Sequence, residues 1–423
     1  MTLDERDAAA TAPFSSTGAV RRAEFRCRCV RPSRGEVGVE DISEERCRME
    51  AGLRLQTLWE ELGASAWFED GPAPKAADFG NPAEEWRALR SGCGIVDRHD
   101  RTKLLLQGQD RVNFLHNFCT QDIRSLPVGG VCEAFATNVK GRVLGHLLVA
   151  ALPDALYIEA EAGLNERLAA HFGRYVIRED VQIVDWTDAL VSLWLIGPES
   201  DAIVAELAGD SADACVFGDG DRFCVRLPFF DVPAHAIVVL SALAPAIARE
   251  AVSLGAAAVG RRAFEALRVA SLLPQYGRDI SDEHLANEVG RTAECISFTK
   301  GCYLGQEPIA RTDAIGHINR VLRGVRFADG EKDALVCGVL DGCEVHAVSA
   351  EPDSDQEARG SEPPIGQVVG RISSSVTGPD GREIWAMSVL RTTAAQPATP
   401  VATRDRSGQC LRGEVYDRAS GPL

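Results

Sequence analysis

From residue 81 onward the apolar positions recur with periods that alternate between those of helix and strand. Asn81-Pro82-Ala83-Glu84 opens a helix, with a capping side chain, a proline in the first turn and a carboxylate three residues after the cap. That helix carries Trp86, Leu89 and Arg90 and is expected to stop near Gly92–Gly94. A strand over Thr102–Gln107 and a helix over Asp110–Phe118 come next, then strands near Val131–Thr137 and Arg142–Ala150. The turn Asn138-Val139-Lys140-Gly141 joins the last two. Strands at Tyr157–Ala160 and Val181–Val184 flank a helix over Leu164–His171. The same alternation continues to about residue 275. It gives strands at Leu190–Ile196, Arg222–Leu227 and Ala236–Leu240, and helices at Glu199–Leu207, Ala244–Leu254 and Arg261–Ser271. Strands joined by short turns, alternating with single helices, predict α+β layers and not a doubly wound parallel sheet.

From His317 the pattern is almost all strand. Val321–Phe327, Val336–Leu340, Glu344–Val348, Ile365–Ile372 and Glu383–Val389 predict a small barrel or curled sheet, within a C-terminal unit spanning 317–415. Glu351–Pro364, acidic and rich in Pro, Ser and Gly, reads as an exposed loop. Residues 1–48 hold no sustained amphipathic period and read as a disordered tail or as sequence ahead of a true start at Met49. Arginines at 21–34 have a transit-peptide flavour, which Asp4, Glu5 and Asp7 oppose.

Composition narrows the picture only by exclusion. The net charge of −17 argues against broad nucleic-acid binding, and no run of eighteen apolar residues predicts a membrane span. The thirteen cysteines follow no C-x-x-C or zinc-finger spacing, and fit reduced thiols in a cytosol. No metal-ligating set, Walker loop, dinucleotide fingerprint or Ser/His/Asp order stands out.

The densest chemistry is Lys300-Gly301-Cys302-Tyr303-Leu304-Gly305-Gln306-Glu307, followed by Arg311 and Gly316. It sets one thiol beside a cation and between glycines, ahead of an amide, a carboxylate and an arginine. A neighbouring ammonium promotes the thiolate, and glycines permit positive φ and close approach. An isolated Gly-Cys pair is more often a plain turn; the whole string is a candidate reactive site. Arg268, between Leu267 and Val269, reads as a partly enclosed guanidinium suited to a carboxylate ligand. Tyr276-Gly277-Arg278-Asp279 offers a ring and a carboxylate on a turn, and Lys140-Gly141-Arg142 reads as a solvated turn tip.

The cysteine string resembles the signature of the YgfZ/GcvT family, which comprises folate-binding proteins that help mature iron–sulfur enzymes and the glycine-cleavage T proteins, or aminomethyltransferases. The likeness extends to Gly94-Ile95-Val96-Asp97, Thr120-Gln121-Asp122-Ile123, Asn138 to Gly141, Gly197-Pro198 and Arg268 to Asp279, and covers roughly residues 50–415. The resemblance implies a T-protein-like ring of domains around a central channel for tetrahydrofolate, closed by a C-terminal β-barrel. Residues 49–255 and 256–316 would then form the folate-binding region. It places Arg268, Tyr276, Asn138, Lys140, His146 and Tyr303 at the folate. It places Cys302, as the functional thiol, with Lys300, Gln306, Glu307 and Arg311 in the reactive loop.

Where T proteins carry an aspartate pair for methylene transfer, this chain has Gly145-His146. The resemblance therefore implies a cytoplasmic, monomeric accessory protein for iron–sulfur assembly or repair, with a link to tRNA modification, and not a classical aminomethyltransferase. Its partners would be a reduced folate and iron–sulfur clients or carriers. One cysteine cannot supply four ligands, so no permanently bound cluster is expected. A folate-dependent one-carbon transferase and a folate-free scaffold are the rival expectations.

Overall fold

The computed structural model describes residues 55–69, 74–208, 216–217, 222–316, 318–328, 333–348 and 365–423. The N-terminal tail, Met49 and the Glu351–Pro364 loop of the sequence analysis lie outside the described residues. Three β-layers carry the rest, consistent with the expected α+β class ending in a barrel.

The five-stranded sheet is antiparallel throughout, in the order Val131–Thr137, Val143–Ala151, Ala155–Ala160, Thr102–Gln107, Gln182–Asp185. Val143–Ala151 is buried at all nine positions because both faces of the sheet are covered. Leu147 and Val149 pack with Phe114 and Phe172 from the helices Arg111–Phe118 and Asn165–Gly173. Leu148 and Ala150 face the larger core around Trp194 and Phe264.

The six-stranded sheet runs Val216–Phe217, Arg222–Arg226, Ala234–Leu240, Leu190–Ile196, Gly94–Asp97, Ala257–Val259. Its last pair is parallel and the others are antiparallel. Gly94–Asp97 is a correction, since the sequence pattern there marks only a helix end. The helix Pro82–Ser91 does end at Gly92, with Asn81 accepting from the Glu84 N–H as its cap. The chain then enters a strand too short for its period to show. Gly94 lets it pass: a Cβ there would come within 2.7 Å of both Leu89 and Val259 side-chain carbons.

The barrel closes in the order Arg320–Ala328, Glu383–Arg391, Ile365–Thr377, Glu344–Val348, Pro400–Arg404, Cys410–Tyr416 and back to the first. Two of these strands, Pro400–Arg404 and Cys410–Tyr416, lie beyond the runs that the periodicity marked. Val336–Leu340, expected as a strand, forms turns with one bridge from Cys337 to Val376. Gly338 and Gly342, both at positive φ, bend that segment against the barrel wall. The helix Arg261–Ala270, buried from Ala263 onward, connects the six-stranded sheet to the barrel. No helix among the described residues is long and apolar enough to cross a membrane.

Candidate functional site

Lys300 to Gly305 forms a loop leading into the helix Gln306–Ile315, tied at both ends and free at its tip. At the start, the Lys300 ammonium donates to the carbonyls of His116 (2.5 Å), Cys119 (2.8 Å) and Gln121 (2.7 Å). The His116 ring in turn bonds the Lys300 carbonyl at 3.0 Å. At the end, Leu304 donates to the Asn117 carbonyl at 2.9 Å and accepts from the Thr137 hydroxyl at 2.8 Å. Gly305 (φ 82°) is pressed onto the 138–141 turn, where a Cβ would stand 2.4 Å from the Asn138 carbonyl oxygen. Gly141 (φ 69°) closes the same contact from the other side, against Pro308 and Ile309. Between these ties, Gly301 (φ 95°) faces open space and Cys302 is exposed.

Lys300 is the first correction. An ammonium has three N–H donors, and all three go to backbone carbonyls of another segment. Burial lowers its pKa, so the lysine anchors the loop and is not a cation placed to activate the thiol. Tyr303 is the second. It is buried in a small core with Phe135, Ile296 and Ile309, where burial raises its phenol to about 12, and it does not line the central cavity. Asn138 and Lys140, also expected at the folate, belong to the turn. The Asn138 side-chain oxygen accepts from the N–H groups of Lys140 (2.9 Å) and Arg142 (3.1 Å), and the Lys140 side chain is exposed. Gln306 is half-buried, while Glu307 and Arg311 are exposed on the helix after the thiol.

All three β-layers contribute to a cavity of about 530 Å³. Trp59 and Phe79 line it from the N-terminal side, Glu161 from the end of the five-stranded sheet, Val96 and Arg98 from the six-stranded sheet, Phe264 from the connecting helix, and Asp341 from the barrel segment. Its volume lies within the range of small-molecule sites, and its wall mixes rings with a few charged groups. Arg98 stacks on Trp194 (4.7 Å) and Phe264 (5.1 Å) and touches Asp100 and Glu161 at 3.4 and 3.3 Å. Burial opposes ionisation of Asp100, but Lys75 and Arg98 outweigh it and hold that carboxyl well below its usual range. Glu161 bonds Arg98 and Arg101 only through long contacts of 3.3 Å, which leaves acceptor capacity toward the cavity. Neither Arg98 nor Glu161 stands out in the sequence, where each is a charged residue just past the end of a strand, Gly94–Asp97 and Ala155–Ala160. Tyr276 does line the cavity, and its hydroxyl has no hydrogen-bond partner.

Arg268 borders the cavity but is not available to a ligand. Its five N–H donors are taken by Glu265 (2.8 and 2.7 Å), Asp279 (2.6 Å), the Leu273 carbonyl (2.8 Å) and the Ser374 hydroxyl (2.7 Å). Burial opposes ionisation of Glu265, yet Arg268 and Arg278 bring it down to about 2. The expected carboxylate receptor is thus the joint between a helix and a barrel strand, and its partner Ser374 stands too far along the chain for local spacing to reveal.

His146 is buried at a small extension of the cavity that it shares with Arg101, Glu161 and Tyr276. Its Nε2 lies 2.8 Å from Glu133, across the hairpin, and 3.7 Å from the Cys295 sulfur. Arg291 holds Glu133 with two bonds, at 2.8 and 2.6 Å. Burial raises the Glu133 carboxyl, and Arg291 followed by His146 overcomes it, leaving the group at about 2. Burial also pushes the His146 ring down and the Cys295 thiol well up.

Residues 56–226 match the family model described as the GCVT N-terminal domain. A chloroplastic transferase of Arabidopsis thaliana is 26% identical over 259 residues, covering 59% of this chain and 60% of that protein. The aminomethyltransferase of Rubrobacter xylanophilus is 25% identical over 271 residues, 61% of this chain and 72% of its own. The tRNA-modifying protein YgfZ of Yersinia enterocolitica is 27% identical over 238 residues, covering 54% and 69%. Among solved structures, the glycine cleavage system aminomethyltransferase T from Bartonella henselae superposes with a TM-score of 0.71 at 19% identity, covering 86% of this chain and 96% of that one. The chain has the T-protein fold and resembles the GCVT N-terminal domain over residues 56–226, and its aligned stretch takes in less than two thirds of the plant relative.

Proposed function

We propose that this GcvT-like chain binds a reduced folate in its central cavity and serves iron–sulfur assembly or repair through the exposed thiol of Cys302. The observation that carries the reading is the Cys302 tip: an exposed thiol on a loop whose two ends are fastened to the body of the protein. The cavity chemistry suits a folate. Phe264 and Phe79 offer apolar faces to a flat ring, and Glu161 can accept from ring N–H groups. When bound, a reduced folate supplies one-carbon carriage or reducing equivalents. Arg98, stacked on Trp194 and Phe264 and braced by Asp100, orients Glu161.

Methylene transfer of the aminomethyltransferase kind is disfavoured here because Gly145-His146 supplies no carboxylate, and His146 is engaged with Glu133. The T-protein fold keeps that transfer as the second reading. Release of methylene from an aminomethyl-lipoyl carrier onto tetrahydrofolate separates the two, and robust turnover would replace the first reading by the second.

Titration of tetrahydrofolate into wild type and Glu161→Gln tests the cavity, with binding expected to weaken at least tenfold (about 1.4 kcal/mol) in the variant. Because all five Arg268 donors are internal, Arg268→Ala would report on folding instead. Cys302→Ala should bind folate as wild type does while failing to restore iron–sulfur enzyme activity in cells that lack the protein. Full restoration by Cys302→Ala would remove the thiol from the function.

A further inference from the structure

Glu133, His146 and Cys295 meet in a buried cluster that nothing above employs. Two come from facing strands of one hairpin, Val131–Thr137 and Val143–Ala151, and the third ends the short helix Thr292–Cys295. Glu133 Oε2 stands 2.8 Å from His146 Nε2 and 3.7 Å from Cys295 Sγ, and Sγ to Nε2 is also 3.7 Å. Such a triangle is unusual for a purely structural network. The thiol lies equidistant from both other donors at a long 3.7 Å, and the one carboxylate oxygen it shares with His146 also accepts from Arg291 Nε at 2.8 Å.

The geometry points to a binding site for a single zinc-class divalent ion held by Glu133 Oε2, His146 Nε2 and Cys295 Sγ. Zinc bonds of about 2.0–2.2 Å to nitrogen and oxygen and about 2.3 Å to sulfur, in tetrahedral array, require donor separations of about 3.3–3.6 Å. The two sulfur edges, at 3.7 Å, have to close by about a tenth of an ångström or more, and the oxygen–nitrogen edge has to open by about half an ångström. Turning the Glu133 carboxylate about the 2.6 Å bond from Arg291 Nη2 to Oε1 supplies that opening, with the 2.8 Å bond from Arg291 Nε to Oε2 exchanged for the metal. Arg291 then acts as an outer-shell support that orients the ligating carboxylate.

One imidazole, one thiolate and one carboxylate together favour zinc over calcium or magnesium, which take oxygen ligands. On binding, the Cys295 S–H bond breaks, its proton leaves to solvent and a sulfur–metal bond forms. His146 binds through the unprotonated Nε2 with its proton on Nδ1. Three protein ligands leave the fourth position to water. His146 alone of the three borders the small cavity, whose ≈ 10 Å³ is room for about one water molecule, so solvent meets the cluster on that side. The histidine that displaces the expected carboxylate thus completes a metal triad with Glu133 and Cys295.

The test uses the full chain carrying Cys302→Ser, which removes the exposed thiol, and cobalt(II) as the spectroscopic stand-in for zinc. One equivalent should give a thiolate-to-cobalt charge-transfer band with tetrahedral visible bands, and zinc should bleach both. Cys295→Ser and His146→Asn in that background should each bind at least about 100-fold more weakly, more than an outer-shell change would cost. No band in the parent protein, or bands of unchanged strength in both variants, would overturn the site. Should either variant fail to fold by circular dichroism, the parent decides alone: zinc should raise its melting temperature by several degrees, and an unmoved melt counts against the proposal.

Discussion

Two thiols seven residues apart occupy opposite environments. Cys295 is wholly buried against Glu133 and His146, and burial followed by the Glu133 charge pushes it well above the ordinary thiol range. Cys302 stands exposed at a glycine-supported tip. Between them, Lys300 is drawn inward by three carbonyls and reverses the chain from core to surface. The same residue type therefore serves assembly at one end of a short segment and accessibility at the other. What separates them is where the polar partners lie, not the residues adjacent in sequence.

The comparison breaks most decisively at the buried end. Arg291→Ala strands the Glu133 carboxylate in the core and should cost about 3–5 kcal/mol in urea unfolding. A loss under 1 kcal/mol would mean that the cluster is more solvated than its burial indicates. Acid gives a related effect of about 3 kcal/mol. The Glu133 carboxyl falls from an ordinary value of 4.5 to about 2 in the folded protein. Its contribution is therefore complete above about pH 4.5 and lost as pH falls toward 2. Accordingly, the stability gap between wild type and Glu133→Gln should narrow by that amount between pH 6 and pH 2.

Lys300→Met leaves three carbonyls without their donor and should cost about 2–3 kcal/mol. It should change Cys302 alkylation by iodoacetamide at neutral pH less than about threefold, since the ammonium points elsewhere. A tenfold slower reaction would restore the lysine as an activator of the thiol. At the exposed end the effects are smallest. Gly301→Ala meets open space and pays only left-handed strain of about 1 kcal/mol, whereas Gly305→Ala also meets the Asn138 carbonyl and should cost at least twice as much. Equal costs would show that the two glycine turns are not pressed together.

Much of this was legible where the information is local. Thr102–Gln107, Val131–Thr137 and Leu190–Ile196 were bounded correctly because each is an unbroken apolar or alternating run between clear turn signals. The fold followed from the resemblance and from the strand-rich C-terminal pattern. Roles assigned to single charged residues fared worse. Arg268 and Asn138 looked ligand-facing and Lys300 looked like an activator of the thiol, yet Arg268 and Lys300 are saturated by protein groups and the Asn138 side-chain oxygen caps its own turn. Arg291 and Glu133 meet across 158 positions, and no periodicity records such a pair. Glu161 escaped notice for the complementary reason: a lone carboxylate after a strand looks like any solvated end until three layers close around it.

The closed barrel restricts how another chain can attach. Its six strands pair around the full circle, so none offers a row of unpaired backbone groups for an incoming strand. Recruitment by β-augmentation would have to use the outer strands of the open sheets, such as Gln182–Asp185 or Ala257–Val259. Val131–Thr137, at the other end of the five-stranded sheet, is closed to such pairing, because Cys119 and Thr120 already bridge Ala136 and Phe135 along its outer side. The hairpin that reaches both cysteines is thus sealed, and the partly exposed strand Gln182–Asp185 is the place on that sheet to look for assembly contacts.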